Sequence, residues 1–74
     1  MRQETYTVLV EQAPDGSWSG HVPDLPTILV GGDTREDAVA MAREAISLYI
    51  EDMREQGLNV PGPHTFAVGV DVAA

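Results

Sequence analysis

Cysteine and lysine are both absent from this sequence, and each absence excludes a class of protein. Without cysteine there is neither a disulfide framework nor a zinc–thiolate site to stabilise a small core. The 4 basic residues are all arginine, and 12 acidic residues bring the formal net charge to −8. Because nucleic-acid-binding surfaces are basic, this balance argues against direct nucleic-acid binding. It favours a basic protein partner, with plain solubility as an equally weighted interpretation.

Long hydrophobic runs are missing as well. No apolar stretch approaches membrane-spanning length, and residues 1–5 do not begin an apolar leader segment, so we expect a cytoplasmic protein with no membrane contact. Residues 1–74 are expected to form one domain. A chain this short buries only about 60% of the surface that it exposes when unfolded. A small core without covalent links therefore predicts a homo-oligomer, either a dimer or a tetramer.

The strongest pattern in the sequence predicts one amphipathic helix over residues 34–56. Gly31-Gly32 precedes it as a turn, and Asp33 or Thr34 is expected at the N-cap. Gly57 is expected just beyond the helix in a left-handed conformation. Apolar residues recur at spacings of three and four, which places them in one stripe: Ala38, Ala42, Ala45, Ile46, Tyr49, Ile50 and Met53.

Three strands are predicted before the helix. Residues 5–11 alternate, with Tyr6 and Val8 on the apolar face, and residues 18–22 form the returning strand. Pro14-Asp15-Gly16 between them predicts a hairpin turn. The segment Val22-Pro23-Asp24-Leu25-Pro26 is expected to be an irregular corner, because proline cannot donate to a sheet ladder. Residues 28–30 are predicted as a short third strand.

A fourth strand is predicted over residues 64–72, after a stiff loop. The order β-β-β-α-β implies a right-handed crossover that returns the last strand parallel to the first. The predicted fold is therefore α+β, with a mixed four-stranded sheet in the order 3-2-1-4 and one helix on one face. The last strand would be an edge without a charged residue before Asp71. We hypothesise that its apolar residues form a protein interface: Phe66, Val68 and Val70.

Catalytic and ligand-binding patterns are weak, and we predict no enzyme, cofactor or metal site. Two-metal nucleic-acid hydrolysis needs several converging carboxylates. Glu4 and Glu11 lie at opposite ends and on opposite faces of the first strand, and the acidic residues near Asp33 are explained by helix capping. His21 and His64 lack metal-ligand spacing, so they are interpreted as strand-end residues.

Several motifs, in their order and spacing, resemble the HicB-like antitoxin family over residues 5–70. Tyr6-Thr7-Val8 and the Asp15-Gly16 turn followed by Trp18 are similar to that family's opening. The Pro-Asp-Leu-Pro corner, the Gly-Asp-Thr helix start and the glycine- and proline-rich loop after the helix carry the rest of the resemblance. The motif residues are Pro23, Asp24, Pro26, Gly32, Asp33, Thr34, Gly57, Pro61 and Pro63.

The resemblance implies a partial ribonuclease-H-like fold and an antitoxin that binds and masks a small basic HicA-type mRNA ribonuclease toxin. Two departures from the family pattern bear on this. The chain stops at Ala74, so the C-terminal DNA-binding module of full-length members, and with it operator binding, is not expected. Thr27-Ile28 stands where many members have Gly-Cys, which removes thiol chemistry. The alternative is a stand-alone oligomeric relative without a toxin partner, serving another cytoplasmic protein–protein interaction.

Overall fold

The computed structural model describes residues 4–73 as an α+β fold of three antiparallel strands and one helix. The strands are β1 (Leu9–Gln12), β2 (Trp18–His21) and β3 (Leu29–Gly32), and the helix is α1 (Arg35–Glu55). The sheet order is β1-β2-β3, so β2 is central and each outer strand has one unpaired edge within the described residues.

The turn between β1 and β2 forms as the sequence predicts. Gly16 donates its backbone N–H to the Ala13 carbonyl over 2.9 Å, and its φ of +91° is a conformation that favours glycine. The Asp15 carboxylate accepts from the Ser17 N–H at 2.9 Å and from the Ser17 hydroxyl at 2.6 Å. These bonds hold the pKa of Asp15 below its usual range, with the Ser17 hydroxyl as the main cause.

Cross-strand packing explains a small residue at the centre of the sheet. Gly20 pairs with Val10 on one side and with Val30 on the other. A Cβ at position 20 would lie 3.2 Å from Val30 Cγ2 and 3.4 Å from Val10 Cγ1. The side chains of the two valines therefore occupy the space above Gly20 on the helix-facing side of the sheet. On the opposite face, Leu9, His21 and Leu29 align in one row.

Helix α1 begins and ends at the predicted caps. Thr34 is extended (φ −128°, ψ 164°), and its hydroxyl accepts from the Asp37 N–H at 3.0 Å, as an N-cap does. Beyond the helix, Gly57 has a φ of +70°. Its N–H donates to the Arg54 carbonyl at 3.1 Å, and the Leu58 N–H donates to the Met53 carbonyl at 2.9 Å. Together these two bonds make a Schellman motif.

The centre of the core lies in the proline corner. Val22 and Leu25 are fully buried, and Ile28 is 6% exposed. Two turn-like bonds support the corner, from the Leu25 N–H to the Val22 carbonyl and from the Ile28 N–H to the Leu25 carbonyl, both 3.0 Å. From α1, Ala38 and Ala42 are fully buried. Partly buried apolar residues pack around this cluster: Tyr6, Val8, Val30, Ala45, Ile46 and Tyr49.

Three sequence predictions about the strands need correction. Gly31-Gly32, expected as a turn before the helix, are instead the last two residues of β3. The first strand was expected over residues 5–11, but pairing with β2 begins only at Leu9. The four-stranded sheet in the order 3-2-1-4 is not shown, since residues 64–73 belong to no strand and the sheet has three. An alternation of apolar and polar residues predicts an apolar face, but it does not provide a neighbouring strand. A strand forms only where its N–H and C=O groups are paired.

Candidate protein-interaction site

Four of the five most exposed large apolar side chains of the described residues lie together near the end of the chain. We call residues 66–72 the C-terminal arm. Phe66, Val68 and Val72 are each 79% exposed and Val70 is 75% exposed. Scattered apolar residues on a surface are ordinary, but a contiguous set of this kind marks an interaction site or an aggregation liability.

The base of the arm is held by one carboxylate. Asp24 accepts three hydrogen bonds: from the His64 N–H at 2.8 Å, the Thr65 N–H at 3.1 Å and the Thr65 hydroxyl at 2.9 Å. The bond from the His64 N–H is the main cause that keeps the pKa of Asp24 below its usual range. A residue of the proline corner thus fixes the chain immediately before the arm.

Two further hydrogen bonds attach the loop before the arm to the stretch preceding β1. The Tyr6 hydroxyl donates to the Pro61 carbonyl at 2.6 Å, and the Thr7 hydroxyl donates to the Thr65 carbonyl. Partial burial is the main cause that raises the pKa of Tyr6, and the nearby carboxylates of Glu4 and Asp24 add to it. The base of the arm therefore lies on the β1 side of the sheet.

A groove of about 1110 Å³ opens between the stretch preceding β1 and α1. Its apolar lining includes Val8 from the sheet side and Val39, Ile46 and Ile50 from the helix. Charged side chains line it as well: Glu4, Arg43, Glu51, Arg54 and Glu55. A groove lined by both apolar and charged side chains suits a strand or a helix of a protein partner better than a small polar ligand.

The charged surface is strongly acidic. Asp24 is half-buried, and the other acidic residues are exposed: Glu4, Glu11, Asp15, Asp33, Glu36, Asp37, Glu44, Glu51, Asp52, Glu55 and Asp71. One weak ion pair joins the neighbouring residues Arg35 and Glu36 at 3.5 Å, with both side chains largely exposed. Most of the negative charge therefore faces solvent, where it can act on a charged partner.

The motif residues from the sequence lie at several places in the fold. Asp24 and Pro61 each accept hydrogen bonds near the base of the arm, Gly32 and Thr34 lie at the helix start, and Gly57 lies at the helix end. A Cβ at position 32 would lie 2.8 Å from the Ala38 nitrogen, which explains glycine there. Within residues 4–73, no three His, Asp or Glu side chains are close enough to hold a metal ion. No helix in that part of the chain is long and apolar enough to cross a membrane.

Sequence reasoning missed the hydrogen-bonding role of Asp24 and the apolar groove. The carboxylate was recognised only as part of a corner motif, and its partners lie 40 and 41 residues away in the chain. No local pattern signals such a bond. The groove lies where residues 4–8 pass beside the helix outside any strand, with Val8 only partly buried.

Comparison with known proteins gives consistent matches along most of the chain. A family model described as a HicB-like antitoxin of bacterial toxin–antitoxin systems matches residues 6–72. A Photorhabdus laumondii protein named Antitoxin HicB 2 is 44% identical over 64 residues, which is 81% of this chain and 42% of that protein. The chain thus spans about two fifths of the length of that relative.

Two shorter relatives match over most of their own length. A UPF0150 protein of Thermoplasma acidophilum is 34% identical over 56 residues, covering 76% of this chain and 81% of that protein. A UPF0150 protein of Synechocystis is 41% identical over 56 residues, covering 76% of this chain and 71% of that protein.

Proposed function

Because this chain belongs to the HicB-like antitoxin family, we propose that it binds and masks a small basic ribonuclease toxin of the HicA type. The observation that carries the proposal is the charge of the chain. Its net charge is −8, and nearly all of its carboxylates are exposed. A basic ribonuclease needs its positive surface to hold RNA, so an acidic protein bound there blocks the substrate.

The physical basis of the inhibition is charge complementarity combined with steric cover. Opposite fields accelerate the encounter of two proteins, and this acceleration declines as salt screens the charges. The contact itself must then exclude RNA from the toxin's active surface. No step in this mechanism requires chemistry by the antitoxin, in keeping with the non-enzymatic role that its relatives suggest.

A binding titration tests the charge argument directly. The probe is a small basic protein encoded beside this chain's gene, if the gene neighbourhood holds one, and calorimetry at low and at high salt reports the affinity. Neutralising three exposed carboxylates of α1 (Glu44→Gln, Glu51→Gln and Asp52→Asn) should weaken binding at low salt. The matched variant Arg43→Gln removes a positive charge from the same helix and should strengthen it. An affinity that is the same for the unmodified chain and both variants, and the same at low and high salt, would contradict electrostatic masking.

Co-expression tests the biological outcome. The basic neighbour alone should arrest growth, and adding this chain in the cytoplasm should restore it. Purified chain incubated with RNA and magnesium should show no hydrolysis. Growth arrest that persists despite a folded, expressed chain would overturn the proposed neutralisation.

The UPF0150 relatives favour a second candidate function. The chain covers 81% and 71% of their lengths, so proteins of about this size exist in the family. In that alternative the protein self-associates and serves another cytoplasmic protein–protein interaction without a toxin. A gene neighbourhood without a small basic protein, and no growth phenotype on deletion, would favour it.

A further inference from the structure

We propose that the C-terminal arm adds as a fourth strand beside β1 of a second copy of this chain, and that the second copy donates its own arm in return. The product is a symmetric, strand-exchanged dimer. This inference does not depend on the presence of a toxin.

The arm has the properties of a strand without a partner. Phe66, Val68, Val70 and Val72 alternate with smaller or polar residues, and all four are at least 75% exposed. Fully extended, seven residues span about 23 Å, which exceeds the length of β1. The radius of gyration is 14.2 Å, whereas a compact chain of this length is expected near 11 Å. The exposure of all four side chains shows that the arm is not packed against the sheet or the helix.

The acceptor site is the outer edge of β1 with the groove beside it. Within residues 4–73, β1 pairs with β2 and with no other strand, so in that part of the chain one edge of β1 presents unpaired N–H and C=O groups. The groove supplies apolar side chains on the helix-facing side of that edge, from Val8, Val39, Ile46 and Ile50. A strand added at this edge would place its apolar face over the groove while its backbone pairs with β1.

Three features favour a second copy as the occupant over a basic partner. Donor and acceptor are on the same chain, so two copies satisfy each other and the assembly closes as a two-fold dimer. The arm carries no charged residue before Asp71, so it offers no complement to a basic surface. The Asp24 hydrogen bonds and the prolines at 61 and 63 fix the point from which the arm leaves the body. Exchange of an identical element between two copies is a low-cost route to a dimer.

Molar mass in solution tests the donor half of this proposal. The unmodified chain should elute as a dimer, at twice its 8.0 kDa mass, when measured by light scattering across a concentration series. Val68→Lys should shift the mass toward monomer because it places a charge over the groove. Ala67→Lys, one residue away on the opposite face of the arm, should leave the dimer intact.

A second pair of variants tests the acceptor half. Val39→Asp, within the groove, should also yield monomer, whereas Ala40→Asp on the exposed helix surface should not. Mixing Val68→Lys with Val39→Asp restores one intact donor and one intact acceptor, so dimer mass should partly return. Helix content from circular dichroism, unchanged in all four variants, separates loss of assembly from loss of folding.

Each contrary result has a definite meaning. If the unmodified chain stays monomeric at high concentration, the proposal is overturned. This holds both if the arm pairs with its own sheet and if it binds a different protein. A dimer that survives Val39→Asp but not Val68→Lys indicates arm-to-arm pairing and also overturns it. A dimer that survives both changes places the interface elsewhere.

Discussion

Helix α1 and the C-terminal arm are the two most clearly patterned stretches of this sequence, and only one of them acquires the predicted structure within the chain. The helix has its stripe, its Thr34 cap and its Gly57 terminator within 25 residues of one another, and every backbone bond that it needs is local. The arm has an equally regular alternation, but a strand has no internal backbone bonds. The periodic pattern therefore predicts the helix correctly, whereas a strand also needs a partner for its backbone hydrogen bonds.

The largest effect should come from the corner against which α1 packs and to which the base of the arm is hydrogen-bonded. Replacing Leu25, which is fully buried, by alanine should lower the free energy of unfolding by roughly 2–5 kcal/mol through lost burial and a residual cavity. Leu29→Ala is the matched control, because Leu29 is 76% exposed. Denaturant melts of both variants provide the measurement. Equal losses would mean that the core does not lie in the corner.

The last residues of β3, just before the helix, should give the next largest effect. Gly32→Ala places a Cβ 2.8 Å from the Ala38 nitrogen and from Asp37 Cβ, so the start of the helix must shift. We expect a loss of roughly 1–3 kcal/mol, as for other overpacked sites. At Gly31 the nearest atom to an added Cβ is the Trp18 carbonyl oxygen at 3.5 Å, an ordinary contact. Thermal unfolding should therefore separate Gly32→Ala from Gly31→Ala, and similar melts would contradict the steric explanation.

Removing the helix cap should have a smaller effect. Thr34→Ala deletes the hydroxyl that accepts from the Asp37 N–H and should cost about 1 kcal/mol. Thr34→Ser keeps an acceptor at the same position and should retain most of the stability. If serine and alanine destabilise the helix equally in urea melts, the hydroxyl is not the cap.

The hydrogen bonds to Asp24 should respond to pH with the smallest effect on global stability. Its pKa is lowered in the folded chain, so its contribution is fully present above the unfolded value of about 3.9 and is lost as the pH falls through the folded value. The amide resonances of His64 and Thr65 should shift together in an acidic titration. Asp24→Asn should abolish that transition, and its persistence in the variant would assign it to another group.

Local signals explain most of what the sequence predicted correctly. The helix and both of its caps, the Asp15-Gly16 turn and the three antiparallel strands each depend on residues near one another in the chain. The corner was expected to be irregular, and it is, but its place at the centre of the core was not foreseen. Leu25 lies between two prolines, where neither helical nor strand periodicity reports burial.

Distant contacts account for what the sequence did not predict. The Asp24 bonds join residues 40 and 41 positions apart, and the fourth strand requires an edge that no short pattern specifies. The family resemblance of the chain is confirmed by the match over residues 6–72. The interface suggested for Phe66, Val68 and Val70 stays a prediction, supported by their exposure.

Amide hydrogen exchange across the arm, measured at several protein concentrations, tests most directly whether a second chain completes the sheet. We expect the amides of residues 66–72 to exchange freely in dilute solution and to become protected as the concentration rises, together with those on the outer edge of β1. Protection that is strong and independent of concentration would contradict this, because it would show that the arm pairs within its own chain.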